Sequence, residues 1–364
     1  MTCRWCVSED GEFVLDLGEQ PASDAFPSIS DPGPDPRYPL RMWLCARCGL
    51  AQLVEDPTTP EEPRGVEPAA LVAQAADAVS RVAAAGVLPA GASVLEYGSP
   101  HGGSWLPMLT RRGLRPAEAA ERADVVLDCF GMMHWADQRV ALRTRLERLA
   151  DNGVLLLQYH SLAAIIHDGQ WNALRHGHFA YYSTRSLHAM LAEVGLVPRF
   201  AWEFSLYGGT VLLAATRGGQ IHSSVWELLS RETMAGTRDP RVVSGLQSQV
   251  SVASTALREW LEAAAQAGKR VIGYGAASRA VALLCRAGVD VELLPAVADA
   301  SPAKAGRRMP GTRIPVIPAG ELVAARPDVV LVFVPDILGE VRGRFPELAG
   351  VEWAVAEPTP RVLP

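Results

Sequence analysis

Short apolar runs alternate with stretches of helical period along most of the 364-residue chain. Ala92-Ser-Val-Leu-Glu-Tyr-Gly98 reads as a buried strand running into a glycine turn, and Ala123–Phe130 and Gly153–Gln158 read as two more. Helical patterns fall at about 69–86, 104–112, 137–150 and 184–195. Val197–Phe204 and Gly209–Thr216 form a closing antiparallel pair. A largely helical stretch over 220–268 leads to a second block, which opens with Lys269-Arg-Val-Ile-Gly-Tyr-Gly275 and has later strands near 293–299 and 328–335. Continuous apolar strands alternating with helices predict an α/β protein with parallel sheets.

Prolines mark the boundaries. Pro27, Pro32, Pro34, Pro36 and Pro39 predict an irregular loop, and Pro57, Pro60, Pro63 and Pro68 predict a linker. The organisation expected is a module with its linker over 1–67, a core over 68–218, and a helical bridge with a second α/β domain over 219–364.

Four of the six cysteines form two pairs, Cys3-x-x-Cys6 and Cys45-x-x-Cys48, separated by 38 residues. Four thiolates on two knuckles suit a tetrahedral structural Zn²⁺ and leave no open catalytic position. The gap between the pairs predicts a small β-rich insert. Cys129 and Cys285 lie in apolar surroundings and read as small core residues.

Composition narrows the class without naming it. Hydrophobic residues make up 49% and charged residues 20%, which excludes disorder over most of the length. With 34 basic and 40 acidic residues the net charge is −6, which argues against a nucleic-acid binder. No run of about 18 apolar residues predicts a membrane span. The start Met-Thr-Cys-Arg-Trp-Cys has no apolar leader segment, so the expected setting is the reducing cytoplasm.

Several motifs, in their order, resemble the sugar C-methyltransferases of antibiotic deoxysugar pathways. They are the knuckles with Leu15-Asp-Leu-Gly18, the turn Glu96-Tyr-Gly98-Ser-Pro-His-Gly102, and Arg175-His-Gly-His178-Phe-Ala-Tyr-Tyr-Ser183. Gly273-Tyr-Gly-Ala276, Ala298-Asp299-x-x-Pro302-x-Lys304 and Pro310-Gly-Thr-Arg-Ile-Pro315 follow. The resemblance implies a zinc module, a class I methyltransferase-like core and a Rossmann-like C-terminal domain around a dTDP-linked keto-deoxysugar. It also implies proton removal beside the ketone, followed by attack of the enolate on the methyl of S-adenosylmethionine. Under it Glu96, Gly98 and Gly102 are the cofactor motif and His178 holds the base position. Gly273, Tyr274, Gly275, Ala276, Arg279 and Lys304 grip the diphosphate, while Tyr182, Gly208 and Gly209 contact substrate. A nucleotide-sugar partner and a monomer or homodimer complete the expectation.

The residues add candidates of their own. His176 and His178 are one residue apart and would share a side on an extended segment. A neutral imidazole suits proton abstraction beside a ketone near pH 7. Tyr159 and His160 lie just after a core strand, where parallel sheets place their sites, and His134 falls where the resembled pattern has a histidine after its fourth core strand. Tyr207 replaces a histidine of the resembled pattern and can donate to an enolate oxygen.

The same comparison of motifs exposes departures. Only the ten residues Leu114–Ala123 separate Gly113 from Asp124, while a β-α-β unit takes about 30. Second and third core strands are therefore not expected, and the acid that would hold the cofactor ribose has no strand. Pro100 and His101 occupy polar positions of the glycine loop, and Gly177 replaces an acid. The expected chemistry is thus histidine-driven proton abstraction next to the ketone without S-adenosylmethionine, leading to epimerisation, tautomerisation or elimination. S-adenosylmethionine-dependent C-methylation and a non-catalytic partner protein are the alternatives.

Overall fold

The computed structural model describes residues 1–31, 33–58, 67–98 and 102–363. The loop positions Ser99–His101 and the prolines Pro32, Pro60 and Pro63 lie outside the described residues.

The zinc module is built on β1 (Gly11–Pro21), β2 (Arg37–Cys45) and β3 (Ala51–Leu53). β1 and β2 are the insert between the two knuckles and pair antiparallel from Gly11↔Cys45 to Pro21↔Arg37. The core contributes β4 (Ser93–Tyr97), β5 (Arg115–Pro116), β6 (Ala123–Cys129) and β7 (Leu149–His160). β8 (Ala180–Tyr181) leaves the core and joins the module sheet, whose order is β1-β2-β3-β8. β9 (Val197–Phe204) and β10 (Thr210–Thr216) close the core sheet, ordered β5-β4-β6-β7-β10-β9. β4 through β7 run parallel and β10 is antiparallel to both its neighbours.

The C-terminal sheet holds β11 (Val271–Tyr274), β12 (Val297–Asp299), β13 (Val316–Pro318), β14 (Val329–Val332), β15 (Glu352–Val355) and β16 (Arg361–Leu363). Their order is β13-β12-β11-β14-β15-β16, with only the last pairing antiparallel. The switch in strand order lies between β11 and β14, where parallel sheets open a crevice at their carboxyl ends. The helix Gly245–Gln266 bridges core and C-terminal domain, burying Leu246, Val250, Leu257 and Leu261 at intervals of four and seven residues. Among the described residues no helix is long and apolar enough to cross a membrane.

One expectation needs correcting. The ten residues before Asp124 do carry a second core strand, the two-residue β5, which pairs parallel with β4 at Ser93↔Arg115 and Val94↔Pro116. The crossover helix Leu106–Arg111 precedes Gly113, so the ten residues need supply only the strand and its return. A third strand beyond β5 is absent among the described residues.

Candidate functional site

A cleft opens where the carboxyl ends of β4, β6 and β7 face the carboxyl end of β11. Its walls include Phe130, His134, Gln158, His160, Arg175, His178 and Tyr207 from the core and Tyr274, Arg279, Asp299 and Arg344 from the C-terminal domain.

His134 enters on a short turn after β6. Asp137 caps the following helix by accepting the N–H of Val140, which fixes where the turn ends. His134 Nδ1 donates to the carbonyl of Gly177 at 3.0 Å, which sets the tautomer and puts the ring lone pair on Nε2. His178 packs edge-on against it, with ring centroids 4.6 Å apart. The Nε of Arg175 donates to His178 Nε2 at 2.9 Å and so engages that nitrogen's lone pair. His160 ends β7 with Nε2 free of any hydrogen bond. Burial, with Arg279 and Arg175 adding to it, pushes its pKa down to about 3 against a smaller opposing effect of Gln170, so the ring is neutral.

His176 does not share that side. Gly177, at φ +82°, turns the chain between the two histidines, so the segment is not extended. His176 is buried under the zinc module, with Nε2 on the carbonyl of Pro39 at 3.3 Å and its ring edge-on to Tyr38. Tyr159 and Tyr182 are likewise buried away from the cleft. Alternate residues of a strand face opposite sides, so Gln158 and His160 reach the cleft and Tyr159 faces the helix Thr184–Glu193, where its hydroxyl meets Thr184 Oγ1 at 2.6 Å. Tyr182 donates to the side chain of Gln138. Neither fits a role in contact with substrate. Tyr207 does line the cleft, edge-on to Phe130, at φ +56°. Gly208 faces a separate hollow beside Asp168 and Gln170, and a Cβ on Gly209 would strike Ala164.

The glycine turn after β11 is not an open anion cradle. Gly273 lies within the strand, where a Cβ would collide with Val297 and Phe333, so it is a packing glycine. The N–H groups of Gly273, Gly275 and Ala276 are given to Ala296 O, Ala298 O and the carboxylate of Asp299, the last at 2.7 Å. A carboxylate already occupies the place expected for phosphate. Lys304 is buried, gives its ammonium to Ala276 O at 2.8 Å and lies over Phe26. Arg279 pairs with Glu357 at 2.7 Å. Among the described residues, Arg344 at the cleft mouth is a lining cation with no ion pair to any carboxylate. It is exposed on the helix Leu338–Arg344 and carries no sequence signal that separates it from other surface arginines.

At the other end of the cleft, Glu96 is held by Ser104 Oγ and the N–H of Trp105, at 2.5 and 2.7 Å. It pins the loop rather than facing the cleft. Gly102 and Gly103 both hold positive φ there, and a Cβ on Gly103 would fall onto the carboxylate of Glu67. Gly102 and Gly103 line the cleft beside Cys129 and Phe130, on the side where the resembled pattern brings its backbone to S-adenosylmethionine. The wall that would face its adenosine is reduced to β5.

The four cysteines fit zinc. Their sulfurs lie within 4.8 Å of one another and are buried, with Cys3–Cys48 and Cys6–Cys45 both at 3.5 Å. A tetrahedral Zn²⁺ with bonds near 2.3 Å needs sulfur–sulfur edges of about 3.8 Å. Gly49, at φ +75°, closes the second knuckle through its N–H to Cys45 O. These residues would hold the ion, and it would cross-link β1–β2 to the N-terminus.

A zinc module, a shortened methyltransferase-like core and a Rossmann-like domain around one cleft define a methyltransferase-like enzyme. Known proteins give the same order. Residues 3–62 match a putative zinc binding domain, 69–199 a methyltransferase domain, and 205–358 a C-methyltransferase C-terminal domain. The chain is 24% identical to the C-methyltransferase NovU of Streptomyces niveus, over 99% of this chain and 96% of that one. These three matches and this relative agree with the C-methyltransferase family that its motifs resemble, in a chain whose core is shortened. A putative methyltransferase of Bacillus halodurans aligns with a TM-score of 0.31 at 12% identity, over 39% of this chain and 99% of that chain. Magnesium protoporphyrin IX methyltransferase of Synechocystis, with bound SAH, aligns with a TM-score of 0.30 at 12% identity, over 41% and 84%. Likeness this slight carries no argument.

Proposed function

We propose that this chain is a C-methyltransferase acting on a nucleotide-linked keto-deoxysugar, with the sugar in the cleft and His134 taking the proton from the carbon beside the ketone. The observation that carries the reading is the His134–Gly177 hydrogen bond, which leaves the lone pair on Nε2, a buried nitrogen of a ring that lines the cleft shared by both α/β domains. His178, tied to Arg175, packs against the His134 ring and holds it in place. His160 is too weakly basic for the task, and a general base works best with a pKa near the operating pH. Tyr207 donates to the developing enolate oxygen. Arg344, rather than the saturated glycine turn, meets the diphosphate.

Gly98, Gly102 and Gly103 would hold the amino-acid end of S-adenosylmethionine. When bound, that cofactor supplies an electrophilic methyl group. The shortened adenosine wall favours a second reading, in which the same proton abstraction leads to epimerisation, tautomerisation or elimination without a methyl donor.

Incubation with a dTDP-linked 4-keto-6-deoxy sugar, followed by mass spectrometry with and without S-adenosylmethionine, separates the two. A product heavier by one methyl only when the cofactor is present supports the first. A changed sugar of unaltered mass, formed equally without cofactor, supports the second.

A further inference from the structure

We infer that the zinc module is a positioning element for the cleft histidines, acting through Arg4 of the first knuckle and Asp56 at the end of the module. The inference rests on the reading of His134 as the base of the cleft, with His178 packed against its ring.

Arg4 sits between two of the zinc-type cysteines, and its side chain points out of the module. Its Nη1 donates to the carbonyl of Ala136 at 3.0 Å, two residues after His134. Its guanidinium lies 4.8 Å from the centre of the Phe179 ring, next to His178. Nε and Nη2 donate back to Leu53 O at 3.1 and 3.0 Å, and the N–H of Arg4 goes to the Gln52 side chain at 2.9 Å. One planar group therefore ties the first knuckle, β3 and both histidine-bearing loops together. A guanidinium suits this because its donors form a rigid fork and its face stacks on an aromatic ring.

Asp56 makes the second tie. Its carboxylate accepts the N–H of Gly177 at 2.5 Å. Gly177 is the residue whose carbonyl fixes the tautomer of His134. Its positive φ leaves its backbone no local helical or strand partner, so this outside carboxylate holds the turn. The chain thus carries an acid from the module beside the position where the resembled pattern has one in sequence. β8 reinforces the link, because Ala51↔Tyr181 pairing joins the module sheet to the strand after His178.

The test uses full-length, zinc-loaded protein labelled with ¹⁵N in histidine. Arg4→Met keeps the apolar stem and removes the fork. Asp56→Ala removes the acceptor, while Asp56→Asn keeps one. Metal content is measured beside each spectrum. Expected is one zinc per chain throughout, with the His134 and His178 ring signals shifted or broadened in Arg4→Met and Asp56→Ala and restored in Asp56→Asn. Turnover should fall about tenfold or more in the first two with the substrate KM little changed, as expected of misplaced reacting groups. Should Arg4→Met lose its metal, the Asp56 pair decides. Unaltered histidine signals in zinc-loaded Asp56→Ala would overturn the inference. Shifted signals with unchanged turnover would uphold the positioning and count instead against His134 as the base.

Discussion

Asp128 and Arg145 form an ion pair with almost no exposure, its guanidinium Nε and Nη2 at 2.9 and 2.8 Å from one carboxylate oxygen. Arg145 also lies 4.2 Å above the ring of Tyr97, and the other oxygen of Asp128 accepts the N–H of Met132 at 3.0 Å. Gln138 takes the far end of the same turn, donating to Met132 O and Trp135 O at 3.2 and 2.6 Å. The turn that carries His134 is thus fastened by buried side chains at both ends. Burial pushes the Asp128 carboxyl up, and Arg145 with the Met132 and Gly131 N–H groups pulls it back. Removing one partner leaves an uncompensated buried charge. Arg145→Met is expected to cost about 3–5 kcal/mol of unfolding free energy, read from urea denaturation. A cost under 1 kcal/mol would show the pair to be dispensable.

Zinc and module folding should rise and fall together, because a four-thiolate site does not exist in the unfolded chain. Metal analysis is expected to give one zinc per chain. Cys45→Ser should lose the ion and lower the thermal midpoint. A metal-free variant of unchanged midpoint would contradict this.

His160 predicts a pH dependence. Its folded pKa, near 3, lies below the ordinary histidine value of 6.5. Between those values the unfolded chain binds the extra proton and the folded chain does not. The stabilising contribution is therefore complete above about pH 6.5 and is lost as the pH falls from there toward 3. Urea midpoints over that window should decline in the wild type and decline less steeply in His160→Gln. Parallel profiles for the two proteins would remove the assignment.

Phosphate contact at Arg344 predicts a salt-sensitive loss. Arg344→Ala should weaken dTDP binding measured by calorimetry, most clearly at low ionic strength. Lys304→Met should act through the fold instead, since that ammonium is committed to Ala276 O. Unchanged dTDP affinity in Arg344→Ala would place the phosphates elsewhere.

Much of the fold was legible because it rests on local signals. The zinc knuckles, the apolar strands β4, β6 and β7, the antiparallel pair β9 and β10 and the strand–glycine turn at β11 all carry composition and spacing that sequence reading can weigh. The two-residue β5 carries none, since only pairing with β4 makes it a strand. The site was legible in type and not in placement. His176 and Tyr159 failed for opposite reasons: Gly177 breaks the extended geometry around the first, and strand alternation turns the second inward. The Gly273–Ala276 turn has the right residues for an anion, but Asp299, 23 residues after Ala276, takes its N–H. Arg4 and Asp56 reach the site only through tertiary contact, which no local pattern announces.

The central claim is that a cleft histidine removes the proton beside the ketone, and it does not depend on the methyl donor. Incubating the keto-sugar nucleotide in D₂O without S-adenosylmethionine tests it most directly, with deuterium at that carbon read by NMR. The account predicts exchange by the wild-type protein and its loss in His134→Ala. Absence of exchange in the wild type, or undiminished exchange in His134→Ala, would contradict it.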